Sequence, residues 1–177
     1  MKIKLITVAI LSAVLFSNLF LPEAKLNNEN NSILGTSHVS EPVHSRPSIQ
    51  MYFYIKKFSK QFSIPEPYAF SLAYQETGYQ GPLHLDYNPT QTSFAGALGP
   101  MQIMPATAEL ILGRKISKKR LLSDLRLNVY VSMKLLRRLH NRYQNWGLVF
   151  GAYNTGTPCV NKYAKNILEK QFKWIKI

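Results

Sequence analysis

Glu76 lies in line with the apolar stripe of a predicted helix, which is an unusual place for a carboxylate. The stretch Tyr68-Ala69-Phe70-Ser71-Leu72-Ala73-Tyr74-Gln75-Glu76-Thr77-Gly78 opens after Pro65 and Pro67 and stops at Gly78, since proline suits a first helical turn and glycine a helix end. Ala69, Leu72, Ala73 and Glu76 fall at i, i+3, i+4 and i+7, so three apolar groups and then a carboxyl share one face. A desolvated carboxyl resists ionising. The negative end of the helix dipole acts in the same direction. A carboxyl kept protonated near neutral pH can serve as a general acid. The competing reading is a frayed last-turn glutamate turned out to water, and this stretch alone leaves both open.

Few other groups in the chain could share such chemistry. From Ser48 onward the remaining carboxylates are Glu66, Asp86, Glu109, Asp124 and Glu169. Asp86 sits in a long polar segment, and Asp124 reads as the N-cap of a long helix. Cys159 is the single cysteine, so no intrachain disulfide can form, and it reads as a small packed residue rather than a nucleophile. His38 and His44 are too far apart in a segment without apolar period to suggest a metal pair. No metal and no cofactor are expected.

The elements that must position Glu76 are helical. Ser48 is expected to cap a helix running to about Phe62 with an aromatic-heavy face. The Glu76 helix follows, then a polar loop from Gly78 to Ala95, long enough to suggest a functional role. Gly96 to Pro105 packs two glycines and two prolines around a short apolar segment. Pro105 can open a helix over Ala106–Leu112 that Gly113 stops. A basic turn, Lys115–Arg120, leads to Asp124. Leu125, Val129, Met133, Leu136 and Leu139 then keep helical spacing to about Tyr143. Trp146–Tyr153 is expected as a short helix ended by Asn154-Thr155-Gly156, and a last helix from about Pro158 to Lys170. No stretch alternates as a strand, so the fold class is all-α.

The N-terminus bears on compartment. Lys2 and Lys4 precede an apolar run from Leu5 to Leu21, the layout of a secretory signal. Residues 1–24 are therefore assigned to a signal peptide or N-terminal anchor, 25–47 to a flexible Asn/Ser-rich linker, and 48–177 to the folded domain. An exported location, periplasm or cell envelope, is expected. The chain carries a net charge of +13, and Ser48 onward holds 18 of the 22 Lys and Arg with 6 of the 9 Asp and Glu. Such a surface favours polyanions. An export signal argues against nucleic acid and for an anionic membrane or wall surface.

With Glu76 and these blocks in order, the chain resembles a lytic transglycosylase domain of the soluble, lysozyme-like type, akin to goose-type lysozyme. Tyr74-Gln75-Glu76-Thr77-Gly78-Tyr79 resembles the block that ends the family's catalytic helix. Gly96-Ala97-Leu98-Gly99-Pro100-Met101-Gln102-Ile103-Met104-Pro105 resembles its glycine-rich Met-Gln block. Asp124 to Tyr130 is similar to its Asp-x-x-x-Asn segment, Gly151 to Gly156 to its Ala-Tyr-Asn-Ala-Gly block, and Tyr163 to Leu168 to its closing helix. Thr77 stands where serine is usual and Pro100 where leucine is common, and the loop from Gly78 is longer than usual.

The resemblance implies a lysozyme-like fold and cleavage of peptidoglycan between MurNAc and GlcNAc, leaving 1,6-anhydro-MurNAc ends. It implies Glu76 as the acid/base, Ser93 near that carboxyl, Met101 and Gln102 lining the sugar cleft, Tyr153 close to the scissile bond and Asn154 beside it. The implied partner is the glycan strand, with a secretion or conjugation apparatus as a further candidate. Two alternatives stand beside this reading. One is a hydrolytic muramidase in which Asp86 places a water; the other is an inactive wall-binding accessory protein of a secretion system.

Overall fold

The structure is a computed structural model and describes residues 41–42 and 44–171. The expected signal or anchor, and most of the expected linker, lie outside the described residues. Among the described residues seven helices follow in chain order: α1 (Pro47–Gln61), α2 (Glu66–Thr77), α3 (Pro105–Leu112), α4 (Lys118–Ser123), α5 (Leu125–Tyr143), α6 (Trp146–Thr155) and α7 (Lys162–Lys170). The described residues hold no strand, only isolated bridges pairing Thr92 with Leu98 and Leu98 with Ile103. No helix among them is long and apolar enough to cross a membrane.

α2 is the central element. Ala69, Phe70, Ser71, Leu72 and Ala73 are buried in succession, so this helix has no wet side over more than a turn, and its neighbours must cover it all round. α1 and α7 both pack on it. α1 brings Met51, Tyr54, Ile55 and Phe58 at helical spacing into the same core. α5 packs against α1 and α6, and α6 against α7, which closes the ring of helices.

Three boundaries differ from the sequence expectation. Ser48 is not the cap of α1: the helix starts at Pro47, and Ser48 is buried inside its first turn with Oγ donating to the Pro82 carbonyl (3.0 Å). The basic turn is partly helical, because Ser117 accepts from the Arg120 N–H (3.2 Å) and caps α4. The last helix begins at Lys162 rather than near Pro158, where Asn161 accepts from the Ala164 N–H (2.9 Å). Asp124 does cap α5, accepting from the Leu127 N–H at 2.9 Å.

The long connection between α2 and α3 is held by named bonds. Tyr79 is fully buried and donates to the Ser48 carbonyl at 2.7 Å, and the Tyr87 hydroxyl lies 2.9 Å from Thr77 Oγ1. Between these two anchors Leu83 and Leu85 face solvent, and farther on Phe94 is wholly exposed. The glycine-rich block is tied to α5 by Asn128, a fully buried side chain. Asn128 accepts from the Met101 N–H (3.0 Å) and donates to the carbonyls of Leu98 (2.8 Å) and Leu121 (3.1 Å). All three bonds use a neutral amide as both donor and acceptor, which Leu or Asp could not reproduce.

Candidate active site

The last turn of α2 carries Glu76, and the helix ends where Gly78 takes a left-handed conformation and its N–H returns to the Tyr74 carbonyl (2.9 Å). Thr77, the next residue, fixes that end. Its Oγ1 donates to the Pro100 carbonyl (2.9 Å), its carbonyl accepts from Gln91 Nε2 (3.3 Å), and Tyr87 meets its hydroxyl. Thus α2, the long loop and the glycine-rich block converge directly behind the carboxylate.

Glu76 turns inward. The residue as a whole keeps some surface, but its carboxyl lies deep enough that burial pushes its pKa up to about 8, against the opposing effect of a hydrogen bond from Tyr163. The frayed, solvated alternative is therefore set aside. Tyr163 comes from the first turn of α7 and donates to Glu76 Oε1. Its hydroxyl is itself held far above the usual tyrosine range by burial and by the neighbouring Glu76 and Tyr153. A buried tyrosine hydroxyl must find a partner. Here that partner is the carboxyl.

Tyr153 approaches from α6. It donates to the Met101 carbonyl (2.7 Å) and lies 2.9 Å from Ser132 Oγ, which donates to it because the tyrosine proton is already committed. Burial first, and the Glu76 charge second, raise its pKa well above the usual value. Neither tyrosine can supply a phenolate near neutral pH. Both act as neutral hydroxyls around one carboxyl that changes charge.

The other expected residues take varied positions. Met101 does not line a cleft: it is fully buried in the core, and its backbone carbonyl, not its thioether, meets Tyr153. The apolar side chain follows the hydrophobic gain of burial. Gln102 has a positive φ of 48°, a costly conformation for a side-chain-bearing residue that tends to mark functional segments. Its Nε2 donates to the carbonyls of Gly99 (2.8 Å) and Gln91 (3.2 Å), and Gln91 in turn reaches Thr77. Ser93 bonds within its own turn, with Oγ accepting from the Ala97 N–H (2.9 Å). Asn154 Oδ1 accepts from Asn161, the cap of α7, at 3.4 Å. Asp86 is solvated, with its side chain 95% exposed and 3.5 Å from His84 Nε2.

Two positioning features escape a reading from sequence spacing. Tyr163 and Ser132 sit on the buried faces of α7 and α5 and look like core positions. The signal for Tyr163 was its hydroxyl, placed four residues before Ile167 on an apolar face. The second feature is Gly151. A Cβ there would lie 1.7 Å from the Cys159 carbonyl oxygen, so only glycine lets α6 pass the segment that leads into α7. Cys159 is half-buried at this crossing and contributes its backbone to it.

An all-helical domain with an enclosed carboxyl at the end of its central helix, faced by two tyrosines from the last two helices, is a lysozyme-like architecture. The chain belongs to the transglycosylase SLT domain family, whose model matches residues 53–175. Its fold is similar to that of the lytic transglycosylase Slt of Pseudomonas aeruginosa, solved as an inactive mutant: 19% identity and a TM-score of 0.59, over 70% of this chain and 24% of that one. It is also similar to the 70-kDa soluble lytic transglycosylase of Escherichia coli, with 27% identity and a TM-score of 0.51 over 67% of this chain and 19% of that one. A complex of the 70-kDa soluble lytic transglycosylase with bulgecin A matches at 27% identity and a TM-score of 0.52, with the same coverage. This chain thus spans a quarter or less of the length of these solved chains.

Proposed function

We propose that this protein is an exported lytic transglycosylase that cleaves the MurNAc–GlcNAc bond of peptidoglycan with Glu76 as its acid and base. The observation that carries this reading is the Glu76 carboxyl, enclosed, held protonated to about pH 8 and faced by Tyr163 and Tyr153. Family membership and the likeness to lytic transglycosylases support the substrate class.

The chemistry follows from one carboxyl. Glu76 gives its proton to the glycosidic oxygen as the bond from that oxygen to C1 breaks. The substrate's N-acetyl oxygen bonds to C1 from the face opposite the leaving oxygen, as in substrate-assisted glycoside cleavage. Glu76, now ionised and accepting from Tyr163, takes the proton of the muramic 6-hydroxyl while that oxygen bonds to C1 on the vacated face and the bond from C1 to the N-acetyl oxygen breaks. The carboxyl returns to its starting state, the product is a 1,6-anhydro end, and no water is consumed. Tyr153 keeps the Met101 turn against the site, and Gln102 and Asn154 are assigned to sugar contacts.

The hydrolytic alternative needs a second carboxylate to orient water. Asp86 is solvated and paired with His84, which favours the anhydro route. Mass spectrometry of fragments from purified wall separates the two: anhydro ends are lighter by one water than reducing ends. Glu76→Gln should lower cleavage by at least ~10²–10⁴-fold. Reducing fragments would make the protein a muramidase, and near-wild-type clearing by Glu76→Gln would remove the acid/base assignment.

A further inference from the structure

Arg114, Lys115, Lys118, Lys119 and Arg120 place five cations within seven residues, on the turn after α3 and in α4, and all five residues are exposed. Among the described residues the acid paired with this group is Asp124, whose carboxylate lies 3.6 Å from Arg120 Nε. Arg114, Lys115, Lys118 and Lys119 thus keep their charge uncompensated at one corner of the domain. None of the five touches Glu76 or its tyrosines, so the catalytic reading does not use them.

The chain from the N-terminus joins the domain at the same corner. Glu41 accepts from Lys57 of α1 and lies 3.6 Å from Arg126 Nε in the first turn of α5. Arg126 is two residues past Asp124, the group that pairs with Arg120 and caps α5. The Lys57 hydrogen bond and the Arg126 charge hold the Glu41 carboxylate below its usual pKa, so this attachment persists at neutral pH. Residues 22–40 separate Glu41 from the apolar run Leu5–Leu21. Nineteen residues can reach at most about 65 Å when fully extended. If the apolar run is lodged in a bilayer, the basic corner is held within reach of the lipid surface.

We propose that the Arg114–Arg120 corner is a docking surface for anionic phospholipid headgroups, orienting the domain on the membrane. Phosphate-bearing headgroups match its charge, and near a bilayer each lysine or arginine adds a comparable increment of attraction, screened by salt. Lipid is favoured over other polyanions because the tether arrives at this corner and concentrates it there.

The test uses the full chain and measures its affinity for phosphatidylglycerol/phosphatidylethanolamine vesicles against phosphatidylcholine vesicles. The apolar run contributes to both, so the ratio of the two affinities isolates the charged surface. At low salt the ratio should be large, and it should collapse at high salt. Lys118→Gln with Lys119→Gln should reduce it roughly tenfold. Lys162→Gln with Lys165→Gln removes the same charge from exposed positions of α7, which packs on α2 and α6, and should leave it within about twofold. Thermal unfolding checks that each variant is folded, and the salt dependence of the unaltered protein tests the electrostatic claim without any variant. A ratio near one overturns the proposal. So does an equal loss in both variants, which would make the effect one of net charge. Tighter binding to soluble anionic wall polymer or DNA at the same ionic strength would assign the corner to that polymer and also overturn the lipid assignment.

Discussion

In the proposed acid/base role, Glu76 couples catalysis to stability through one proton. Its pKa is about 8 in the folded protein against an ordinary carboxyl value of about 4.5, so the folded state holds a proton that the unfolded state releases. Between these values the folded state binds more protons, and stability falls as pH rises. The contribution is complete below about pH 4.5 and lost by pH 8–9. Glu76→Gln keeps an acceptor for Tyr163 and cannot ionise. It should therefore match the wild type at pH 4 and exceed it at pH 9, by up to about 5 kcal/mol from the size of the shift. Denaturant unfolding of both proteins across pH measures this, and equal stability at pH 9 would show a solvated carboxyl. With Glu76 as the proposed acid, the same proton should set an alkaline limb of wall cleavage near pH 8. Tyr163 stabilises the ionised carboxyl, so Tyr163→Phe should move that limb upward as well as slow the reaction. A tyrosine that only fills space would leave the limb where it is.

Among the elements, α6 and the glycine-rich block are placed by contacts that tolerate little change. Gly151→Ala sets a methyl 1.7 Å from the Cys159 carbonyl oxygen and 2.8 Å from its carbon. Backbone cannot swing aside as a flexible side chain can, so α6 must shift and carry Tyr153 and Asn154 with it. The expected cost is on the order of 3 kcal/mol or more, read as a lowered thermal midpoint together with weaker cleavage. Asn128→Leu would fill similar volume but strand the Met101 N–H and the carbonyls of Leu98 and Leu121. Each stranded buried group costs ~1–3 kcal/mol, comparable in sum with the whole stability of a small domain. This variant should fail to accumulate as folded protein, whereas Leu83→Asn, on an 83% exposed position, should be silent. Circular dichroism and yield of soluble protein report both outcomes.

At the scale of the molecule, the site is assembled from both ends of the domain. α2 supplies the Glu76 carboxyl, while α6 and α7 supply the hydroxyls more than 70 residues later. α7 also covers α2 with Tyr163, Ala164 and Ile167, all buried, and with Lys170, whose Nζ donates to Gln75 Oε1 (3.1 Å) and lies over the Tyr74 ring. Burying a large apolar side chain stabilises by ~1.5–3 kcal/mol. Truncation after Asn161 should thus remove much of the domain's stability, not only its activity. Hydrogen exchange should then show α2 amides losing protection. Protected α2 amides in the truncated chain would mean that the central helix folds without its C-terminal cover.

The helical class, the end of α2 at Gly78, the cap at Asp124 and the oddly placed carboxylate were legible in the sequence because each rests on local chemistry. Periodicity, a helix-stopping glycine and a short polar cap act within a few residues of themselves. The same locality misled at Ser48 and Pro158, where a plausible start was overruled by contacts with Pro82 and with the Asn161 cap. Periodicity also could not tell that α2 is buried all round, which depends on which helices pack on it. Met101 had the residue type and motif of a cleft contact, yet its side chain lies in the core. The raised pKa of Glu76 was readable as a tendency. Its partner was not, since Tyr163 lies 87 residues away, and a hydroxyl's bond depends on what faces it in the fold. Only tertiary structure decides that, because desolvation and hydrogen-bond pairing belong to the enclosure of a group rather than to its neighbours in the chain.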